Sequence, residues 1–231
     1  MAVFNNPNKP VGLSPVSSLI ASGGGFTGQG NLYAIPAADT SGYWPGDLVI
    51  PGTSAGGTFG AGGDAYGTQY IAKYVEASAH PVLGVIAAIG TDPTGSQFIN
   101  PNLLGGSEQN PGGMYRPSGA QSVVYYAFVL DDPNIIYEIQ EGGANTNLTS
   151  TAIGLNADIV VANPSVVGVS AFSGSQLDNA TVGTTATLPL RILRLAPRTD
   201  NGFTTSPATG GGYQKWWVKL NNTFYGQTTG A

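Results

Sequence analysis

Val123-Val124-Tyr125-Tyr126-Ala127-Phe128-Val129-Leu130, the turn Asp131-Asp132-Pro133-Asn134 and the run Ile135-Ile136-Tyr137-Glu138-Ile139-Gln140 decide the fold class. In the first run both alternating sets are apolar or aromatic: Val123, Tyr125, Ala127 and Val129 on one side, Val124, Tyr126, Phe128 and Leu130 on the other. Such a strand is expected to be central and covered on both faces. In the second run Ile135, Tyr137 and Ile139 alternate with Glu138 and Gln140, the period-two pattern of a strand with one wet face. The four residues between them form a turn for a stated reason: proline presets φ, and the acids and asparagine bond nearby backbone amides.

Working outward, the same grammar repeats. Short apolar runs rich in β-branched and aromatic residues fall at 32–35, 47–50, 70–76, 82–89, 159–162, 166–172, 188–195 and 216–220. Gly-rich and Pro-rich connections separate them, and no window of twelve or more residues carries a helical stripe with caps. The expected fold is all-β, a barrel or a jelly-roll-like sandwich. Connections at about 51–69, 91–121 and 197–214 are long for a compact domain and read as contact-making loops. Residues 1–30, with Pro7, Pro10 and the glycines at 23–25, 28 and 30, read as an extended N-terminal arm. The domain proper is then 31–231.

The chain of 231 residues holds 35 Gly and 16 Pro, and only 9% of it is charged. An ordinary soluble domain has roughly 25% charged residues, so this surface suits coverage by partners. With no Cys there are no disulfides, thiolate metal sites or cysteine nucleophiles. No stretch approaches the roughly 18 apolar residues of a spanning helix, and the N-terminus has no export signal, so no membrane partner is expected. The net charge of −5 argues against nucleic acid as a partner. That charge is uneven. Residues 191–231 hold Arg191, Arg194, Arg198, Lys215 and Lys219 against Asp200 alone, while residues 1–190 hold three bases against twelve acids. The basic end is expected to meet an acidic partner or the acidic part of a neighbouring copy, or simply to face solvent.

Catalytic groups are scarce. His80 is the single histidine, and Gly52-Thr53-Ser54-Ala55-Gly56 matches a nucleophile-elbow pattern but runs on into glycines where a helix should start. Glu138 with Glu141, or Asp131 with Asp132, could pair as acid and base, yet turn chemistry already accounts for the aspartates. No catalytic residue, cofactor or metal site is assigned, and no enzymatic activity is expected. The aromatic residues carry more. Trp216 and Trp217 are adjacent, so on a strand one joins the core and the other faces outward as an interface anchor or a sugar platform. Tyr43-Trp44 makes a similar case on a loop. The candidate interface residues are therefore Phe4, Phe26, Tyr43, Trp44, Arg191, Arg194, Trp216, Trp217 and Lys219.

Residues 124–140, 188–201 and 216–225 resemble head proteins of tailed bacteriophages, the cement or decoration proteins of the capsid exterior. The resemblance rests on an acid-acid-Pro-Asn turn leading into Ile-Tyr-Glu-Ile-Gln, an Arg-Ile-Leu strand with an Asp-Asn loop, and an apolar strand ending in Asn221-Asn222 before an aromatic. It spans about a fifth of the chain, with a weaker echo at 46–49 and 82–86. It implies an all-β, non-enzymatic virion protein made in the bacterial cytoplasm. Such a protein is a homo-oligomer, dimer or trimer, bound to the major capsid protein on the outside of the shell. The other readings are a tail fibre, spike or glycan-binding adhesin module, and a glycan hydrolase, for which the residues are lacking.

Overall fold

A computed structural model of the chain describes residues 8–19, 28–92, 115–142, 147–164, 172–203 and 213–226. Phe4, Phe26, the expected strand at 166–172 apart from its last residue, and much of the loops at 91–121 and 197–214 lie outside the described residues. Twelve strands are described: β1 Ser14–Ser18, β2 Asn31–Ile35, β3 Leu48–Pro51, β4 Ile71–Lys73, β5 Gly84–Gly90, β6 Tyr125–Leu130, β7 Ile135–Gln140, β8 Asn156–Ala157, β9 Ile159–Val160, β10 Gln176–Leu177, β11 Leu190–Leu195 and β12 Lys215–Leu220. Two single-turn 3-10 helices, Ser150–Ala152 and Phe224–Gly226, are the helical structure among the described residues.

The chain is all-β. Sheet I has the order β1-β7-β12-β11-β8, sheet II the order β2-β6-β5-β3-β4, and β9 with β10 makes a two-stranded ribbon. Among the described residues every strand pairing is antiparallel and no sheet closes into a barrel. The expected interior strand is β6, hydrogen-bonded on both sides between β2 and β5. Its two faces feed different clusters: Leu130 joins the larger core, while Ala127 and Val129 join a second one.

The larger core is one buried cluster drawn from both sheets. Ile135, Tyr137, Ile139, Leu190, Ile192, Trp216, Val218 and Leu220 come from sheet I, and Leu48, Ile50, Ala72, Val85 and Leu130 from sheet II. The second cluster, with Tyr33, Ile35, Val49, Ile71, Ile86 and Ile89, lies on the other side of sheet II, so that sheet is apolar on both faces. Sheet I buries one face in the core; its other face is only partly open to solvent, with Ile136 and Gln140 of β7 buried there too, so the wet face read from the alternation of β7 is in large part covered.

The stretch read as an arm contains a strand. β1 pairs antiparallel with β7, with a register irregularity between Pro15 and Ser17, and Leu13 beside it is buried in the core. A Pro-containing strand at a sheet edge is permitted because its missing donor faces no ladder partner there. The local glycine and proline content at 1–30 hid this, since the partner strand lies more than a hundred residues away in sequence. The turn at 131–134 forms as read: Asp132 accepts hydrogen bonds at 2.8 Å from the Asn134 backbone and side chain, and Ile135 N donates to Asp132 O.

Candidate interface on the outer face of sheet I

Strand alternation sets which side chains reach this face. On β12, Trp216, Val218 and Leu220 are buried, so Lys215, Trp217 and Lys219 point outward. Trp217 is opposite Glu138 of β7, and Lys219 is opposite Ile136. Strict alternation along β11 would send Arg191 and Arg194 to opposite faces. A bulge between Ile192 and Arg194 adds one residue, Leu193, and brings both arginines to the outer face. Arg191 then faces Lys219, and Arg194 faces Trp217.

The Arg194 guanidinium lies 4.2 Å from the centroid of the Trp217 ring, a cation–π contact. The Trp217 indole N–H is buried without a hydrogen-bond partner. Arg191 Nε donates to Asn156 Oδ1 at 3.0 Å. Arg191 and Lys219 form no ion pair among the described residues, although they are like charges directly opposite each other, an arrangement that destabilises a sheet. Farther along, Glu138 accepts Arg198 at 2.9 Å and lies 3.9 Å from Lys215, while Arg198 also meets Asp200 at 3.2 Å. These exposed pairs contribute at most about 1 kcal/mol each. The Asn8 side-chain oxygen accepts Gln140 Nε2 at 2.9 Å, so the segment before β1 crosses one end of the face.

The structure places the sequence candidates in two groups. Arg191, Arg194, Trp217 and Lys219 come together on one surface. Trp216 is fully buried, and its indole N–H donates to Glu141 Oε2 at 3.0 Å. Tyr43 and Trp44 are buried as well: the Tyr43 hydroxyl donates to Asp39 and accepts Lys73 N at 2.9 Å, and Trp44 lies beneath the Lys73 ammonium. Neither offers a ring to a partner. Tyr43 is buried because it covers the second apolar face of sheet II, and Trp44 because it packs between the Lys73 ammonium and the Tyr115 ring, demands invisible in a Tyr-Trp-Pro loop.

Glu138 and Glu141 do not share a site, and Asp131 and Asp132 are each taken up by other partners. Glu138 faces outward while Glu141 is buried, and His80 stacks on Phe59 with ring centroids 4.2 Å apart. Asp131 accepts Tyr33 Oη at 2.6 Å and Asn31 Nδ2 at 2.8 Å. Sequence reasoning passed over a buried charged group instead: Asp39, Asp47, Lys73 and Arg116. Arg116 donates to the carbonyl oxygens of Ser41 and Asp39, tying the 36–43 loop down. Nothing in the spacing of these four residues announces them. Among the described residues no cluster of three or more His, Asp or Glu could hold a metal ion, and no helix is long and apolar enough to cross a membrane. Comparison with protein-family models, curated proteins and solved structures returned no match.

Proposed function

We propose that this chain is a non-enzymatic virion structural protein, a cement or decoration protein that binds the exterior of a bacteriophage capsid as a homo-oligomer. In this reading the two sheets form a jelly-roll-like sandwich, residues 1–30 act as an N-terminal arm that lends β1 to sheet I, and the outer face of sheet I docks on the major capsid protein. The observation that carries it is the set of Arg191, Arg194 and Lys219 around Trp217 on one sheet face, the arginines brought together by the β11 bulge and all three cations without ion-pair partners among the described residues. Such a surface suits an acidic partner: the aromatic ring supplies a desolvated anchor and the rim charges steer the encounter. Preference for the intact shell over free subunits would stabilise the shell by linkage.

The test is to image purified virions with and without the protein and to measure its binding to stripped shells. Saturable density on the head exterior, lost in Trp217→Ala with Arg194→Ala, is the expected result. Density on tail fibres, or binding to a glycan panel with no affinity for shells, would replace this reading with the adhesin. Tyr66, 76% exposed beside Asp64, would then be the first ring to examine.

A further inference from the structure

At the β4 edge of sheet II, three side chains with complementary reactivity meet in a largely buried site. Lys73 Nζ lies 3.0 Å from Asp47 Oδ2 and 3.4 Å from the carboxamide oxygen of Asn163. It also donates to Gly42 O at 3.0 Å and sits 4.8 Å from the centroid of the Trp44 ring. Asp47 is fully buried and Lys73 nearly so, whereas Asn163 stands at the solvent-facing mouth.

Each partner is held. Asp47 accepts Trp44 N at 2.9 Å, and Lys73 is placed by its register with Val49 of β3. The Asn163 segment packs against residues 173–175. Gly174 N donates to Ala162 O at 3.0 Å, Ala162 N donates to Ser175 Oγ at 3.3 Å, and a Cβ on Gly174 would come within 2.4 Å of Asn163 O. Asn163 is followed by Pro164, whose ring nitrogen carries no hydrogen. The common attack of the following backbone nitrogen on an asparagine carboxamide is therefore closed, and Lys73 Nζ is the amine that meets this carboxamide, 3.4 Å from its oxygen. Burial pushes the Asp47 carboxyl above its ordinary range, with the Lys73 charge opposing the shift.

We propose that Lys73 and Asn163 become joined by an intramolecular isopeptide bond whose formation Asp47 promotes. Lys73 gives one proton to Asp47 Oδ2, and the freed Nζ lone pair attacks Cγ of Asn163. Asp47 passes its proton to the carboxamide oxygen as the tetrahedral carbon forms. The hydroxyl returns its proton to Asp47 as the carbonyl re-forms, the C–N bond to the side-chain nitrogen breaks with the proton from Nζ going to that nitrogen, and the ammonia so formed takes the proton back from Asp47. The products are an Nζ–Cγ amide and one ammonia, which departs through the mouth at Asn163 as ammonium and leaves Asp47 a carboxylate. No electrons are exchanged and no co-reactant is needed. The bond would tie the β4 edge to a segment ninety residues later, independently of any docking role.

Intact-mass spectrometry of the folded full-length chain tests it. The expected mass is lower than the sequence mass by one ammonia, about 17 Da, with a branched peptide joining Lys73 to Asn163 after proteolysis. Asn163→Ala, at the solvent-facing mouth, should fold, show no loss of ammonia and melt at a lower temperature. Asp47→Asn should slow or abolish the mass loss. A folded parent protein with its full mass, or with the loss mapped to another asparagine, overturns the proposal, as does unchanged cross-linking in Asp47→Asn for the role of that residue.

Discussion

Replacing Glu141 with glutamine should flatten the pH dependence of stability between about pH 4.5 and 7. Glu141 is fully buried at the end of β7, where Oε2 accepts Trp216 Nε1 at 3.0 Å and Leu148 N at 3.2 Å. Oε1 is buried with no hydrogen-bond partner. Burial pushes the carboxyl from its ordinary 4.5 up to about 7, and the hydrogen bonds from Trp216 and Leu148 pull it back only in part. The folded state therefore prefers the protonated acid. Its contribution is fully present below pH 4.5, declines as the pH rises through the folded value near 7, and is absent above it. At about 1.4 kcal/mol per unit, a shift of this size corresponds to about 3 kcal/mol, an upper figure for this group. Glutamine keeps an acceptor for Trp216 and Leu148 and cannot ionise. Urea midpoints at half-unit steps from pH 4.5 to 8 should show the parent losing stability relative to Glu141→Gln, with the variant ahead by about 1–3 kcal/mol at pH 8. Comparing the two proteins cancels the titration of Asp47 and the surface acids. Parallel curves across the range would mean that Glu141 is ionised or solvated in the folded protein, and the reasoning would fail.

Three further outcomes follow from particular contacts. Arg194→Ala and Lys219→Ala should bind the acidic partner more slowly at low salt and almost normally at high salt, because rim charges act over a Debye length of about 8–10 Å; equal on-rates at all salt concentrations would make these charges a solvated face. Gly12→Ala should destabilise by about 1–3 kcal/mol, since Gly12 has φ +66 and a Cβ there would meet Gly46 O at 2.5 Å and the Ser173 Cβ at 2.6 Å; an unchanged melting temperature would contradict the packing. Ala77, at φ 58, donates its N–H to Asp158 Oδ2, and Ala77→Gly should stabilise by about 0.5–1 kcal/mol as relief of the left-handed strain exceeds the added chain entropy. Thermal unfolding of that variant checks the sign, and a lower melting temperature would refute it.

Local pattern made β6, the turn at 131–134 and β7 legible, because alternation and turn chemistry act within a few residues and need no knowledge of the partner strand. The same locality carried the all-β class and the rule that adjacent tryptophans take opposite faces. Which tryptophan is buried was another matter. Trp216 turns inward because the pairing of β12 with β7 and β11 places it among core residues of both sheets, beside the Glu141 carboxyl group. Likewise, the shared face of Arg191 and Arg194 depends on a one-residue bulge that their spacing does not reveal.

The sequence by itself determined the strand class, the turn positions and the charge asymmetry, properties written in neighbouring residues or in plain counts. The tertiary structure alone decided that Ser14–Ser18 is a sheet edge, that Tyr43 covers sheet II while Trp44 is buried beside it, and that Lys73, Asp47 and Asn163 meet. Each of these depends on contacts between segments far apart in the chain. Their stability comes from burying a second apolar face and from satisfying buried charge, and both costs arise only once the sheets have assembled.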